Sequence, residues 1–102
     1  MNTISVEDLK KRLDAGESIN LLDVREEHER AAFNIGGTHI PVGKIQLFEL
    51  NAIEEWKDKE VIVYCRSGNR SAMATMVLQQ AGYKNPVNLS GGMLAWEEKY
   101  GV

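Results

Sequence analysis

The chain has 102 residues, 43% hydrophobic and 26% charged, which is enough for one globular domain and too few for two, so residues 1–102 read as a single unit. Twelve basic against fifteen acidic residues leave a net charge of −3, with no basic tail or stripe, which argues against a nucleic-acid partner. A lone cysteine excludes an internal disulfide and a two-cysteine redox motif; the opening Met1-Asn2-Thr3-Ile4 carries no apolar run, so neither a leader nor a membrane span is expected, and a reducing cytoplasm is.

Ser5 and Asp8 resemble a capping box opening a helix, with Val6, Leu9 and Leu13 as its apolar stripe and Gly16 as its stop. Residues 19–24 read as a short buried strand, and 26–32 as a short charged helix. Residues 34–41 are irregular, with a turn at Gly36-Gly37 and an extended piece ending at Ile40-Pro41. From Lys44 to Trp56 the pattern is helical but divides two ways. Ile45, Phe48 and Ala52 form one stripe, whereas Ile53 and Trp56 suit a second short helix after Asn51.

Lys57-Asp58-Lys59 is a polar connector. Residues 60–64 form the central strand, almost uniformly apolar as expected when both sheet faces are covered. A helix is predicted over 71–81, with Met73, Met76, Val77 and Gln80 on one side and Gly82 as its stop. Residues 87–89 give a last strand, and Gly91-Gly92 opens a final helix to Tyr100, anchored by Leu94 and Trp96. Alternating strands and helices predict an α/β sandwich around a largely parallel sheet. Such sheets bind ligands at the carboxyl ends of strands, where Cys65 and Asp23 both fall.

Cys65 ends the apolar run and is followed by Arg66-Ser67-Gly68-Asn69-Arg70-Ser71 before the helix. A cysteine there faces backbone N–H groups and the positive end of a helix dipole, both of which favour the thiolate. A loop this short curls its amides toward one centre and makes an anion-binding nest. It holds no histidine or lysine to shuttle protons. The chemistry therefore needs little acid catalysis, as in transfer of a sulfane sulfur, where sulfite leaves unprotonated; a phosphate ester would need an acid for its alkoxide.

Residues 65–71 resemble the active-site loop of the rhodanese (thiosulfate sulfurtransferase) family. Leu21-Leu22-Asp23-Val24-Arg25-Glu26 resembles its N-terminal signature, and residues 88–96, Asn88 to Trp96, its C-terminal one. The resemblance implies a five-stranded sheet flanked by helices and a persulfide carried on Cys65. In that family sulfurtransferases have a six-residue loop and the phosphatases and arsenate reductases one residue more; Cys65 through Arg70 makes six. Gly36-Gly37-Thr38-His39-Ile40-Pro41 stands where Gly-His-Ile often precedes the Ile-Pro, a variant similar to rhodanese domains joined to adenylating enzymes of molybdopterin and thiamine sulfur pathways.

The resulting assignment makes Cys65 the nucleophile and Arg66, Ser67, Gly68, Asn69, Arg70 and Ser71 the substrate-binding loop. Ser67, Gly68 and Asn69 serve mainly through their amides, and Arg66 stands at the exposed rim. Arg70 either binds the anion or pins the loop by pairing with an acidic residue. The resemblance implies that Asp23 braces the loop from beneath and that Arg25 forms a salt bridge, with Glu29 as candidate partner. A catalytic-acid role for Asp23 is the sharper alternative. Trp96 is expected in the core, and Trp56 in the core or partly exposed. His28 and His39 lack ligand spacing, so no metal is expected, nor a cofactor. Expected partners are thiosulfate, a thiol or cyanide acceptor and a sulfur-relay protein, with no nucleic acid and no membrane. The competing readings are a non-turnover sulfur carrier and, less favoured, a phosphatase or arsenate reductase.

Overall fold

The structure, a computed structural model, describes residues 2–101. Strands β1 (Asn2–Ile4), β2 (Leu21–Asp23), β3 (Thr38–His39), β4 (Glu60–Tyr64) and β5 (Asn85–Leu89) form one sheet in the order β1-β5-β4-β2-β3. Every pairing is parallel. Helices α1 (Val6–Asp14), α2 (Glu27–Ala32), α3 (Val42–Gln46), α4 (Asn69–Gln80) and α5 (Gly92–Tyr100) flank it, with a 3-10 segment over Asn51–Trp56. The α/β sandwich with its five-stranded parallel sheet is the architecture the sequence predicts. Among the described residues no helix is long and apolar enough to cross a membrane.

β4 lies at the centre of the sheet and is almost wholly buried. Its side chains alternate between two cores, as the two-residue period of a strand requires. Val61 and Val63 pack with Ile45, Ile53, Ala74 and Leu78, on the side of α3 and α4. Ile62 and Tyr64 pack with Leu9, Met93 and Trp96, on the side of α1 and α5. Cys65 continues the odd-numbered series and so falls on the α4 side.

Connections leave the neighbours β2 and β4 in opposite directions, toward β3 and β5 respectively. A crevice opens at the carboxyl ends of such a pair. Asp23 ends β2 there, and Cys65 follows β4.

Several boundaries and faces differ from expectation. β1 carries no sequence signal because it is three residues long and mostly exposed; pairing of Asn2 with Val87 and Ile4 with Leu89 defines it. β5 begins at Asn85 rather than Val87, and Pro86 is accommodated because the β1 register starts only at Val87. The helix expected over 71–81 begins two residues earlier, and its buried face is Ser71, Ala74, Thr75 and Leu78. Met73 and Met76 are exposed, at 46% and 55%. The helical period was legible but its phase was not: Ser71 turns inward to meet Cys65, Ala74 and Leu78 pack in the core with Val61 and Val63, and Thr75 satisfies its own hydroxyl on the Ala72 carbonyl at 2.7 Å.

Leu94 is likewise exposed, and Met93 with Trp96 anchors α5. Between Lys44 and Trp56 the second division holds, with separate short elements around Asn51. Of the capping box at α1, the structure makes the Ser5 half, with the Asp8 N–H donating to Ser5 Oγ at 3.1 Å.

Candidate active site

Chain reversal after Cys65 depends on Gly68, whose φ of +105° lies in the left-handed region that side chains resist. The turn directs amides back at the sulfur. Gly68 N–H donates to Cys65 Sγ at 3.1 Å and Ser71 N–H at 3.4 Å, while Ser71 Oγ stands 3.3 Å away. α4 starts at Asn69, so the positive end of its dipole adds to these donors. Burial pushes the Cys65 thiol up, but the Ser71 hydroxyl and the amides of Ser71, Gly68 and Ser67 pull it down further, leaving it below the ordinary thiol value.

The loop is pinned from behind. Met93 N–H donates to the Cys65 carbonyl at 3.0 Å and Leu94 N–H to that of Arg66 at 2.9 Å, so the first turn of α5 spends its free amides on the loop. Gly92 makes this possible: a Cβ there would sit 2.5 Å from Cys65 O and 2.7 Å from Arg66 O, at a φ of +55°. Gly92→Ala is therefore expected to lower stability by about 1–3 kcal/mol and to displace the loop. A thermal melt read beside the alkylation rate of Cys65 checks both effects; a wild-type melt and rate would contradict the packing.

Asn88 was missed as a site residue. Its neighbours Val87 and Leu89 face the α1 and α5 core, which turns Asn88 toward α4. There its amide Nδ2 donates to the Gly68 carbonyl at 3.2 Å, and its Oδ1 accepts the Ser71 hydroxyl. The available signal was a polar residue interrupting a buried apolar strand.

Arg70 donates both guanidinium arms to Glu29, at 2.7 and 2.8 Å. Of its two sequence-level roles, the geometry makes the ion pair. The pair holds the Glu29 carboxyl down at about 2, so it stays closed until the pH falls toward that value. Arg25 does not pair with Glu29 as expected. It folds back on Asp23, donating from Nε and from a terminal nitrogen at 2.9 Å each, and lies over the Tyr64 ring. Arg30 adds a third contact to Asp23 at 3.3 Å. The Asp23 carboxylate thus orders β2 and α2 and bonds to no loop residue.

The loop residues divide accordingly. Gly68 and Ser71 meet the sulfur and Arg66, Ser67 and Asn69 project outward with exposed side chains, while Arg70 faces α2. Cys65 itself exposes none of its surface. The sequence points to a thiolate open to its cup, but the strand alternation seats the sulfur inside the α4 core and the loop closes over it. Reaching the sulfur from solvent requires the exposed residues of the loop, Arg66, Ser67 and Asn69, to shift.

A cleft of about 190 Å³ adjoins the loop, with Arg25, Glu29, Phe33, Arg66 and Leu94 among its walls. Larger clefts of about 360 and 470 Å³ lie around Phe48 and Asn51 and include no loop residue. Trp96 is in the core on the side of α1 and α5, Trp56 is half-buried against the core on the side of α3 and α4, and His39 bonds the Arg25 carbonyl at 2.7 Å.

The rhodanese-like domain profile matches residues 5–99. A candidate sulfur carrier protein of Bacillus subtilis is 39% identical over 97 residues, covering 94% of this chain and 51% of its own length, so the chain spans about half of that relative. A sulfurtransferase of Allochromatium vinosum is 38% identical over 97 residues, covering 94% of this chain and 88% of its own. Among solved structures, a human single-domain sulfurtransferase superposes with a TM-score of 0.79 at 28% identity, covering 97% of each chain.

Proposed function

This chain belongs to the rhodanese-like domain family, and we propose that it moves a sulfane sulfur from thiosulfate or a persulfide donor to cyanide or a thiol through a persulfide on Cys65. Sulfur transfer in general agrees with its sulfurtransferase relatives. The observation that carries the finer reading is the pair of backbone amides, of Gly68 and Ser71, that donate to Sγ at 3.1 and 3.4 Å in a loop that offers the sulfur no carboxylate, histidine or lysine.

The steps balance without an acid. Cys65 thiolate attacks the outer sulfur of thiosulfate, forming one S–S bond while the other breaks and sulfite departs with its electron pair. An acceptor thiolate or cyanide then attacks the terminal sulfur of the persulfide, and Cys65 leaves as thiolate. No net oxidation occurs. Arg66, exposed at the rim, is the cation available to an approaching anion. Arg70 is held by Glu29, which disfavours the phosphatase reading, since a phosphate would compete with that carboxylate for the same guanidinium.

A carrier reading is favoured by one observation: Cys65 exposes none of its surface, so a partner that opens the loop would give the thiol its access. Intact-mass measurement after thiosulfate treatment tests both. A gain of one sulfur atom, removed by cyanide or dithiothreitol, is expected. Loading only by a cysteine desulfurase with cysteine would favour the carrier, and no gain from either donor would remove the persulfide chemistry.

A further inference from the structure

Ser71 has one hydroxyl proton and two neighbours that can use it. Its Oγ lies 3.3 Å from Cys65 Sγ and also bonds Asn88 Oδ1. The Asn88 amide cannot turn round, because its Nδ2 is committed to the Gly68 carbonyl at 3.2 Å and a flip would set two acceptors face to face. Oδ1 is a pure acceptor, so the Ser71 proton points at Asn88 and away from the sulfur. In that state Ser71 presents lone pairs to Cys65, which suits an S–H donor. When the sulfur carries charge, the hydroxyl must turn to it, and Asn88 Oδ1, in a residue only 7% exposed, is left without its donor.

We propose that Asn88 is a positioning residue that directs the proton of Ser71, and so sets how readily Cys65 becomes the anion that reacts. The amides of Gly68 and Ser71 favour the anion; Asn88 opposes them through Ser71. The consequence is a thiol less readily ionised than the amides alone would make it.

Charged groups near the loop do not explain this away. α4 contributes Arg70, tied to Glu29 of α2; the end of β2 contributes the Asp23, Arg25 and Arg30 cluster; the loop contributes Arg66. β5 and the first turn of α5 bring no charge, and Lys44 of α3 is exposed.

The inference rests on Cys65 being the reacting thiol. Its test is the pH dependence of iodoacetamide alkylation in the full chain, for the parent, Asn88→Ala, Ser71→Ala and the double variant. Asn88→Ala is expected to lower the midpoint by about one pH unit, the weight of one hydrogen bond to a charged group. In the Ser71→Ala background the same change should move it by less than about a third of that. An upward shift, no shift, or an equal shift with and without Ser71 would overturn the proposal. Loss of the Gly68 brace alone would act through the Gly68 N–H on the sulfur equally with and without Ser71, so the double variant separates it from the Ser71 route.

If Asn88→Ala does not fold, Asn88→Asp keeps the acceptor and strengthens it. Its upward shift must then be larger with Ser71 present than in the Ser71→Ala background, and equality overturns the idea. Alkylation uses no sulfur donor, so this result and the persulfide mass gain succeed or fail independently.

Discussion

Cys65→Ser is expected to yield a folded protein that takes no sulfur from thiosulfate and delivers none to cyanide. Activity falls by at least about a thousandfold, because no other thiol exists in the chain and a serine hydroxyl cannot form a persulfide. The fold survives because serine is smaller and the amides of Gly68 and Ser71 already aim at its position. The hydroxyl replaces a buried sulfur within hydrogen-bond reach, so a stability change of about 1–2 kcal/mol is expected, not collapse. Intact mass with thiosulfate, read beside a thermal melt, separates the two. Transfer above about a tenth of the parent rate in this variant would remove Cys65 from the chemistry.

The loop was legible in the sequence for a physical reason. A strand end, a glycine and a helix start at short spacing leave the backbone little choice, and local chemistry then sets the donors on the sulfur. Partners contributed by distant elements were not legible. Glu29 was assigned to Arg25, yet it reaches Arg70, 41 positions away, because the fold brings α2 to the start of α4 and Arg25 is taken by the carboxylate two residues before it. Asn88 and Gly92 act through β5 and α5, which meet the loop only once the sheet order is known.

The methionines of α4 misled because apolarity alone sets the phase of a helix in sequence. Here two hydroxyl residues, Ser71 and Thr75, share the inward face with Ala74 and Leu78. Met73 and Met76 are the outward residues in consequence. β1 was invisible because its stability comes from the backbone ladder with β5 and scarcely from its side chains.

Asp23→Ala should produce a loss of stability as large as the truncation of a large core side chain. The carboxylate is fully buried, and it accepts from the Arg25 backbone at 3.0 Å, from two Arg25 guanidinium nitrogens at 2.9 Å and from Arg30 at 3.3 Å. Without it, a guanidinium with 5% of its side chain exposed keeps the Phe33 carbonyl at 2.7 Å and the Tyr64 ring, and no counter-charge as close. Breaking one side of such a pair is worth about 3–5 kcal/mol, most of it the stranded charge. That is a large part of the roughly 5–15 kcal/mol a domain has, and would lower Tm by about 15 °C or more.

If the loss comes from the stranded charge, Asp23→Leu combined with Arg25→Met should recover more than half of it. Asp23→Asn then separates brace from acid. It keeps the shape and an acceptor, so transfer per folded molecule should stay within about threefold of the parent while the melt falls. A carboxylate that supplied a proton would behave in the opposite way. Loss of a hundredfold or more in transfer with an unchanged melt would make Asp23 part of the chemistry, and would require a route for its proton across the cleft from β2 to the sulfur.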